Sequence, residues 1–247
     1  MNENKDHVFS VTYRACKPID IGDVYYRVEC AGTRRFAETC LVCDGKGSDF
    51  DCIIEDITTD RIILNVMGET ASESEPDISL SLCTCLLKGD KFEQVVKHST
   101  ELGATSIIPV VSENCVSRPD EKSLKSKVAR WQKIALEAAG QSGRGVIPTV
   151  ENATSLKALA KTFSDYDLVL FFYEAGGMPL GETLWDNRGF KKVAVITGPE
   201  GGFSKHEADM LIGAGAKVIT LGKRILRAET APLAAIAGIM LLTDNLE

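Results

Sequence analysis

Apolar residues come in short runs from residue 8 to about residue 68, and from about residue 78 their period changes. The first stretch contains HVFSVTYRA, ETCLVCD, DFDCIIEDI and DRIILNVM. Each is brief, rich in β-branched and aromatic residues and broken by polar turn residues, which predicts strands. Asp44-Gly45-Lys46-Gly47 has the composition of a hairpin turn between two of them. Several short strands over so little chain predict a small β-barrel. GETASESEPD, residues 68 to 77, is acidic and small-residued and reads as a linker or long loop.

Strands and helices then alternate. ISLSLCTCLL predicts a strand, KFEQVVKHSTELG a helix stopped by Gly103, and TSIIPVV a strand. Residues 121 to 141 place Val128, Trp131, Ile134, Ala135 and Ala138 on one helical face. SLKALAKTF reads as a short helix, DLVLFFY and KKVAVIT as strands, SKHEADMLIGAG as a helix capped by Ser204, and KVITLG as a strand. Residues 229 to 243 close the pattern as an apolar helix. Such alternation predicts a parallel α/β sheet covered on both faces, so the chain divides into a β-rich domain over 1 to 70 and an α/β domain over 78 to 247.

Composition changes this picture little. The chain has 247 residues, 44% hydrophobic and 26% charged, as expected of a globular protein. No apolar run approaches the roughly 18 to 20 residues that span a bilayer. The opening MNENKDHVFS lacks the apolar core of a secretory signal, so a cytoplasmic protein is expected, with no membrane partner. The net charge of −7 does not advertise a nucleic-acid binder, although a local basic patch acts within a Debye length of about 10 Å. Eight cysteines include Cys40 and Cys43 in C-x-x-C spacing and Cys83 and Cys85 in C-x-C, but His7, His98 and His206 are scattered. TCLVCDGKG reads as a strand entering a turn, not as a thiol pair opening a helix. Reduced, packed thiols and no metal are expected.

Chemistry concentrates in AVITGPEGGFSKHEADML, residues 194 to 211, where glycines separate a strand from a helix. A dinucleotide fold needs G-x-G-x-x-G, which residues 198 to 203 do not supply, and Glu200 would repel a pyrophosphate. A P-loop fails because G-x-x-x-x-G-K-[ST] is absent. A purely structural loop is one remaining reading. The other is an apolar or cationic cofactor held mainly by backbone groups, for which S-adenosylmethionine is suited: an acidic residue does not repel its sulfonium. The second glycine segment, TLGKRILRAETAPLAAIAGIML, favours the cofactor.

Together, ITGPEGGFS and HEADMLIGAGAKVITLGKRILRAETAP resemble the two signature segments of the RsmE family, the SPOUT-class 16S rRNA (uracil-N3)-methyltransferases. KGDKFEQVVKHSTELGATSIIPVVSE (88 to 113) and RWQKIALEAAGQSGR (130 to 144) resemble further family segments in the same order. The likeness covers nearly all of residues 80 to 247. It implies a SPOUT-type C-terminal domain with a trefoil knot, a preceding PUA-like β-barrel that helps bind RNA, and a homodimer. The implied reaction is S-adenosyl-L-methionine-dependent methylation of N3 of a uridine in 16S rRNA, on the small ribosomal subunit. The alternatives are a SPOUT methyltransferase acting on another RNA, or a non-catalytic RNA-binding assembly factor on the same scaffold.

The resemblance implies that Glu174, Gly198, Glu200, Gly201, Leu221, Gly222, Ile225 and Leu226 bind the cofactor. Uracil N3 becomes nucleophilic only as its proton leaves and charge spreads onto O2 and O4. Arg227 is the expected stabiliser of that charge. Glu229 is the expected base, or alternatively caps the last helix or pairs with Arg227. Gln141 and Arg144 fall in a matched segment and are expected RNA contacts. Lys122, Lys125, Lys127, Arg130 and Lys133 read as a solvated helix face. The N-terminal domain is the weakest match. Tyr25, Tyr26 and Arg27 fall near the family's His-His pair, Arg34 and Arg35 near its arginine, and all suit base stacking or phosphate contact. Asn114 stands where the family commonly has an arginine.

Overall fold

The computed structural model of the chain describes residues 10–13, 28–30, 39–57 and 61–246. Tyr25, Tyr26, Arg27, Arg34 and Arg35 lie outside the described residues. Contacts divide the chain into two units, Met1–Glu75 with Gly143–Val146, and Pro76–Ser142 with Ile147–Glu247.

The first unit is built on strands β1 (Ser10–Tyr13), β2 (Val28–Cys30), β3 (Thr39–Cys43), β4 (Ser48–Ile57) and β5 (Arg61–Ala71). Their order is β1-β5-β4-β3-β2; β1 runs parallel to β5 and the other pairs are antiparallel. Alternation along β4 points Phe50, Cys52 and Ile54 inward and leaves Asp51 and Glu55 exposed. These inward residues pack with Cys40, Val42 and Leu64 into a small core. The predicted hairpin turn joins β3 to β4. The Asp44 carboxylate accepts from the amides of Lys46 and Ser48 at 2.7 and 3.0 Å, while Gly45 and Gly47 take φ of 67° and 106°.

The linker or long loop expected over 68 to 77 starts later than expected, with residues 72 to 78 outside any strand or helix. Residues 68 to 71 extend β5, because β4 is long enough to pair Asp51 with Gly68 and Ser48 with Ala71 past a bulge. Ser74 and Glu75 are then consumed inside the same unit: the Ser74 hydroxyl accepts from Gly145 N–H at 2.9 Å and the Glu75 carboxylate from Val146 N–H at 2.9 Å.

The second unit is an α/β structure with an entirely parallel sheet. Its strands are β6 (Ser79–Cys85), β7 (Ser106–Val111), β8 (Thr149–Val150), β9 (Thr154–Ser155), β10 (Leu168–Phe172), β11 (Met178–Pro179), β12 (Lys192–Thr197) and β13 (Lys217–Thr220). They follow the order β11-β13-β10-β12-β6-β7-β8, with β9 also on β7. The inner strands β6, β10 and β12 are buried on both faces, which is why they read as continuous apolar runs. Helices α1 (Lys91–Glu101), α2 (Glu121–Ser142), α3 (Leu156–Leu159, continued by a 3₁₀ turn), α4 (Leu180–Asp186), α5 (Lys205–Gly213) and α6 (Ala231–Leu242) connect them. Trp131, Ala135 and Ala138 of α2 are buried, with Trp131 against Phe92 at 4.2 Å between ring centroids. Ser204 caps α5 in a full capping box with Glu207.

Six described cysteines (Cys40, Cys43, Cys52, Cys83, Cys85 and Cys115) are free and buried. Burial pushes the Cys83 and Cys52 thiols up to about 12 and Cys43 to about 11, so these stay protonated. Cys115 moves the other way, to about 6, chiefly through its hydrogen bond with Cys85. Among the described residues no cluster of three or more metal-ligating side chains occurs, and no helix is long and apolar enough to cross a membrane.

Candidate active site at the carboxyl ends of four strands

The sheet order places β13, β10, β12 and β6 side by side, and each runs into its following loop at the same edge. Carboxyl ends of parallel strands are where open α/β sheets form ligand sites. A cavity of about 640 Å³ opens there, within the roughly 300–1,000 Å³ range of small-molecule pockets. Phe172 to Glu174 line it after β10, Thr197 to Gly202 after β12, Ile219 to Glu229 after β13, and Lys91 at the start of α1. The structure thus brings together all ten predicted cofactor-binding and catalytic residues: Glu174, Gly198, Glu200, Gly201, Leu221, Gly222, Ile225, Leu226, Arg227 and Glu229.

The loop after β12 is braced on every side. Asn114 donates its side-chain amide to the carbonyls of Gly201 and Gly202 at 3.2 and 3.1 Å. Lys88 donates its backbone N–H to Glu200 Oε1 at 3.0 Å. A Cβ on Gly198 would lie 2.9 Å from the Phe203 ring, and one on Gly201 would lie 3.0 Å from Asn114 Cβ. A Cβ on Gly202, whose φ is +65°, would collide with the Glu174 carboxylate. The glycines here are demanded first by protein neighbours, Gly201 among them. Asn114 is the brace.

The loop after β13 is its opposite. Gly222 has φ +97°, and a Cβ added there would meet nothing within 4 Å, so its backbone faces open space. Thr220 Oγ1 accepts from Gly222 N–H at 3.1 Å and fixes the first turn. Ile225 is 86% exposed. Lys223, Arg224 and Arg227 are also exposed, and Arg227 forms no ion pair among the described residues. Its carbonyl accepts from Thr230 and Ala231, at 2.9 Å each, which turns the chain into α6.

Glu229 neither caps α6, where Thr230 stands at the cap position, nor pairs with Arg227. Its carboxylate is 3.1 Å from Lys91 Nζ, which in turn lies 3.9 Å from Glu200 Oε1. The Glu229 carboxyl is held below its ordinary range by its own backbone N–H first, and then by Lys91 and Arg227, against the opposing effect of desolvation. Neither apolar periodicity nor the family likeness marks Lys91 as a site residue. The available signal is its place in KGDKFEQ, at the first residue of a helix, where the helix dipole disfavours a cation.

The expected RNA contacts separate. Gln141 is exposed near the end of α2. Arg144 is buried in the first unit, its guanidinium paired with Glu75. This speaks against the expected RNA contact by Arg144, because a buried guanidinium committed to a carboxylate is poorly placed to meet phosphate. On α2, Lys122, Lys125, Lys127, Arg130 and Lys133 are exposed, with Lys125 paired to Glu121 at 2.9 Å and Arg130 to Glu93 at 2.8 Å.

Residues 73–240 match the RNA methyltransferase domain family. The chain is 32% identical over 220 residues to the ribosomal RNA small subunit methyltransferase E of Bacillus subtilis, covering 83% of this chain and 82% of that protein. It is 34% identical over 208 residues to the protein of the same name from Synechocystis, covering 83% and 66%. A crystal structure of a ribosomal RNA small subunit methyltransferase E from Neisseria gonorrhoeae, bound to S-adenosyl methionine, superposes with a TM-score of 0.76 at 29% identity. That match covers 95% of this chain and 98% of the other.

Proposed function

Since the chain belongs to the ribosomal RNA small subunit methyltransferase E family, we propose that it transfers a methyl group from S-adenosylmethionine to N3 of a uridine in 16S rRNA. The observation that carries this reading is the convergence of both glycine segments, Arg227 and Glu229 on one cavity. Its residues fit the cofactor: the open backbone at Gly222 suits an adenine slot, and the carboxylates of Glu174, Glu200 and Glu229 tolerate a cation while disfavouring a phosphate. When bound, S-adenosylmethionine supplies an electrophilic methyl group on a sulfonium.

The chain's own residues then have distinct tasks. The Leu221 to Leu226 backbone and the Gly198 to Gly201 loop hold the donor. Arg227, exposed and without an ion pair among the described residues, is available to a uracil oxygen as negative charge develops there. Glu229, ionised at neutral pH, accepts the N3 proton. Its downward shift makes it a weak base, since a matched base has a pKa near the working pH. Stabilisation of the uracil anion by Arg227 therefore carries the larger share of activation.

The finer architecture follows the same reading. The C-terminal segment threads a trefoil knot, which the superposition on a family structure supports. The first unit is a PUA-like barrel that uses Arg34 and Arg35 on RNA, with Gln141 adding a contact from the second. Exposed Ile212, Ile225, Leu241 and Leu242 support a homodimer, and a ribosomal substrate supports a cytoplasmic enzyme. Small ribosomal subunits incubated with the protein and labelled S-adenosylmethionine, followed by mass-spectrometric mapping, test the activity. Label at uridine N3 of 16S rRNA is expected. Label confined to another RNA would move the assignment to that substrate, cofactor binding without transfer would leave an assembly factor, and absence of cofactor binding in calorimetry would refute the methyltransferase.

A further inference from the structure

We propose that Lys91 is a positioning residue for methyl transfer, fixing the carboxylates of Glu229 and Glu200 relative to one another across the cavity. The inference rests on Glu229 being the proton acceptor, as above. Lys91 Nζ lies 3.1 Å from Glu229 on the loop after β13 and 3.9 Å from Glu200 on the loop after β12. The lysine thus joins the open loop to the braced one.

Three features set Lys91 apart from an incidental surface cation. It opens α1, the end of a helix where the dipole disfavours positive charge, so its carboxylate neighbours are what offset that placement. Its backbone is anchored: the next residue, Phe92, is 1% exposed and packs on Trp131. The ammonium is therefore presented from a rigid element, as positioning requires. Finally, Glu200 is already held by Lys88 N–H at 3.0 Å, so Lys91 transfers the fixity of the braced loop to Glu229, whose carboxylate is otherwise held by its own backbone N–H.

The charged groups acting on Glu229 are Lys91 from α1 and Arg227 from its own loop; Glu200, on the other side of Lys91, lines the same cavity with Glu174, Lys223 and Arg224. Removing Lys91 leaves Glu200 and Glu229 as like charges and raises the Glu229 carboxyl. Glu229 accepts a proton only when ionised, so activity falls as pH drops through its pKa. Loss of Lys91 must move that acid limb to higher pH.

The test uses the full chain, with small ribosomal subunits and S-adenosylmethionine as substrates. Lys91→Met is expected to lower kcat by about 10- to 100-fold while cofactor Kd stays within about threefold. The acid limb of the kcat profile moves upward, and Lys91→Arg restores most of both. Wild-type kcat in Lys91→Met, an unmoved acid limb, or a loss matched by an equal loss of cofactor affinity would overturn the proposal. Glu229→Gln separates it from its premise. If Glu229→Gln is impaired while Lys91→Met is not, the positioning role alone fails; if Glu229→Gln turns over like wild type, both fail.

Discussion

Two glycine loops border the same cavity, and they need glycine for opposite reasons. After β12, protein atoms press on the backbone: the Phe203 ring on Gly198, Asn114 on Gly201, the Glu174 carboxylate on Gly202. After β13, nothing approaches Gly222, and the loop displays exposed cations and an 86% exposed isoleucine. One loop is a wall built into the fold. The other is left open on the cavity side, tied back by Lys91 and by the turn into α6. A glycine-rich segment between a strand and a helix therefore does not identify ligand contact by itself.

Substitutions can break that contrast. The largest effect is expected at Arg227: Arg227→Ala should cut turnover by about 10²- to 10³-fold, the scale of a lost transition-state donor, with cofactor affinity nearly unchanged. Single-turnover kinetics beside calorimetry read both, and unchanged turnover removes Arg227 from the chemistry. Gly198→Ala should overpack against the buried Phe203 ring and lower unfolding stability by about 1 to 3 kcal/mol in urea titrations. Gly222→Ala meets no neighbour, so its cost is the left-handed backbone alone, about 1 to 2 kcal/mol. That cost should appear as weakened cofactor binding more than as lost stability; the reverse pattern would erase the distinction between the loops. Smallest is Asn114→Ala, which frees two carbonyls on a partly exposed loop and should lower stability by about 1 kcal/mol in the same titration.

What was legible in the chain depended on how local its cause was. The cap at Ser204 lies within four residues of its partner Glu207, and the buried inner strands announce themselves as apolar runs, so cap and strands are readable directly. Strands β8, β9 and β11 have two residues each, too few to show any period. The acidic stretch at 68 to 71 became strand because β4, some twenty residues earlier, offers it a partner: pairing overrode composition. Arg144 falls in a segment resembling the family's, which points to RNA contact and gives no sign of its carboxylate partner 69 residues away. Lys91 and Glu229 are 138 residues apart, so neither position predicts the other. The cavity residues were legible through family likeness; the reason each glycine is a glycine was visible only in three dimensions.

The strand order carries a consequence for how the protein comes into being. β13 lies inside the sheet, between β11 and β10, although it is the last strand made, and the loop that follows it supplies nearly half of the cavity wall. At a synthesis rate of roughly 5–20 residues per second, the α/β unit can begin to condense while that wall is still missing. The contacts that complete it are long-range in sequence, which makes them late and slow to form. A chain that has not yet docked β13 and the loop after it therefore lacks that wall of the cavity.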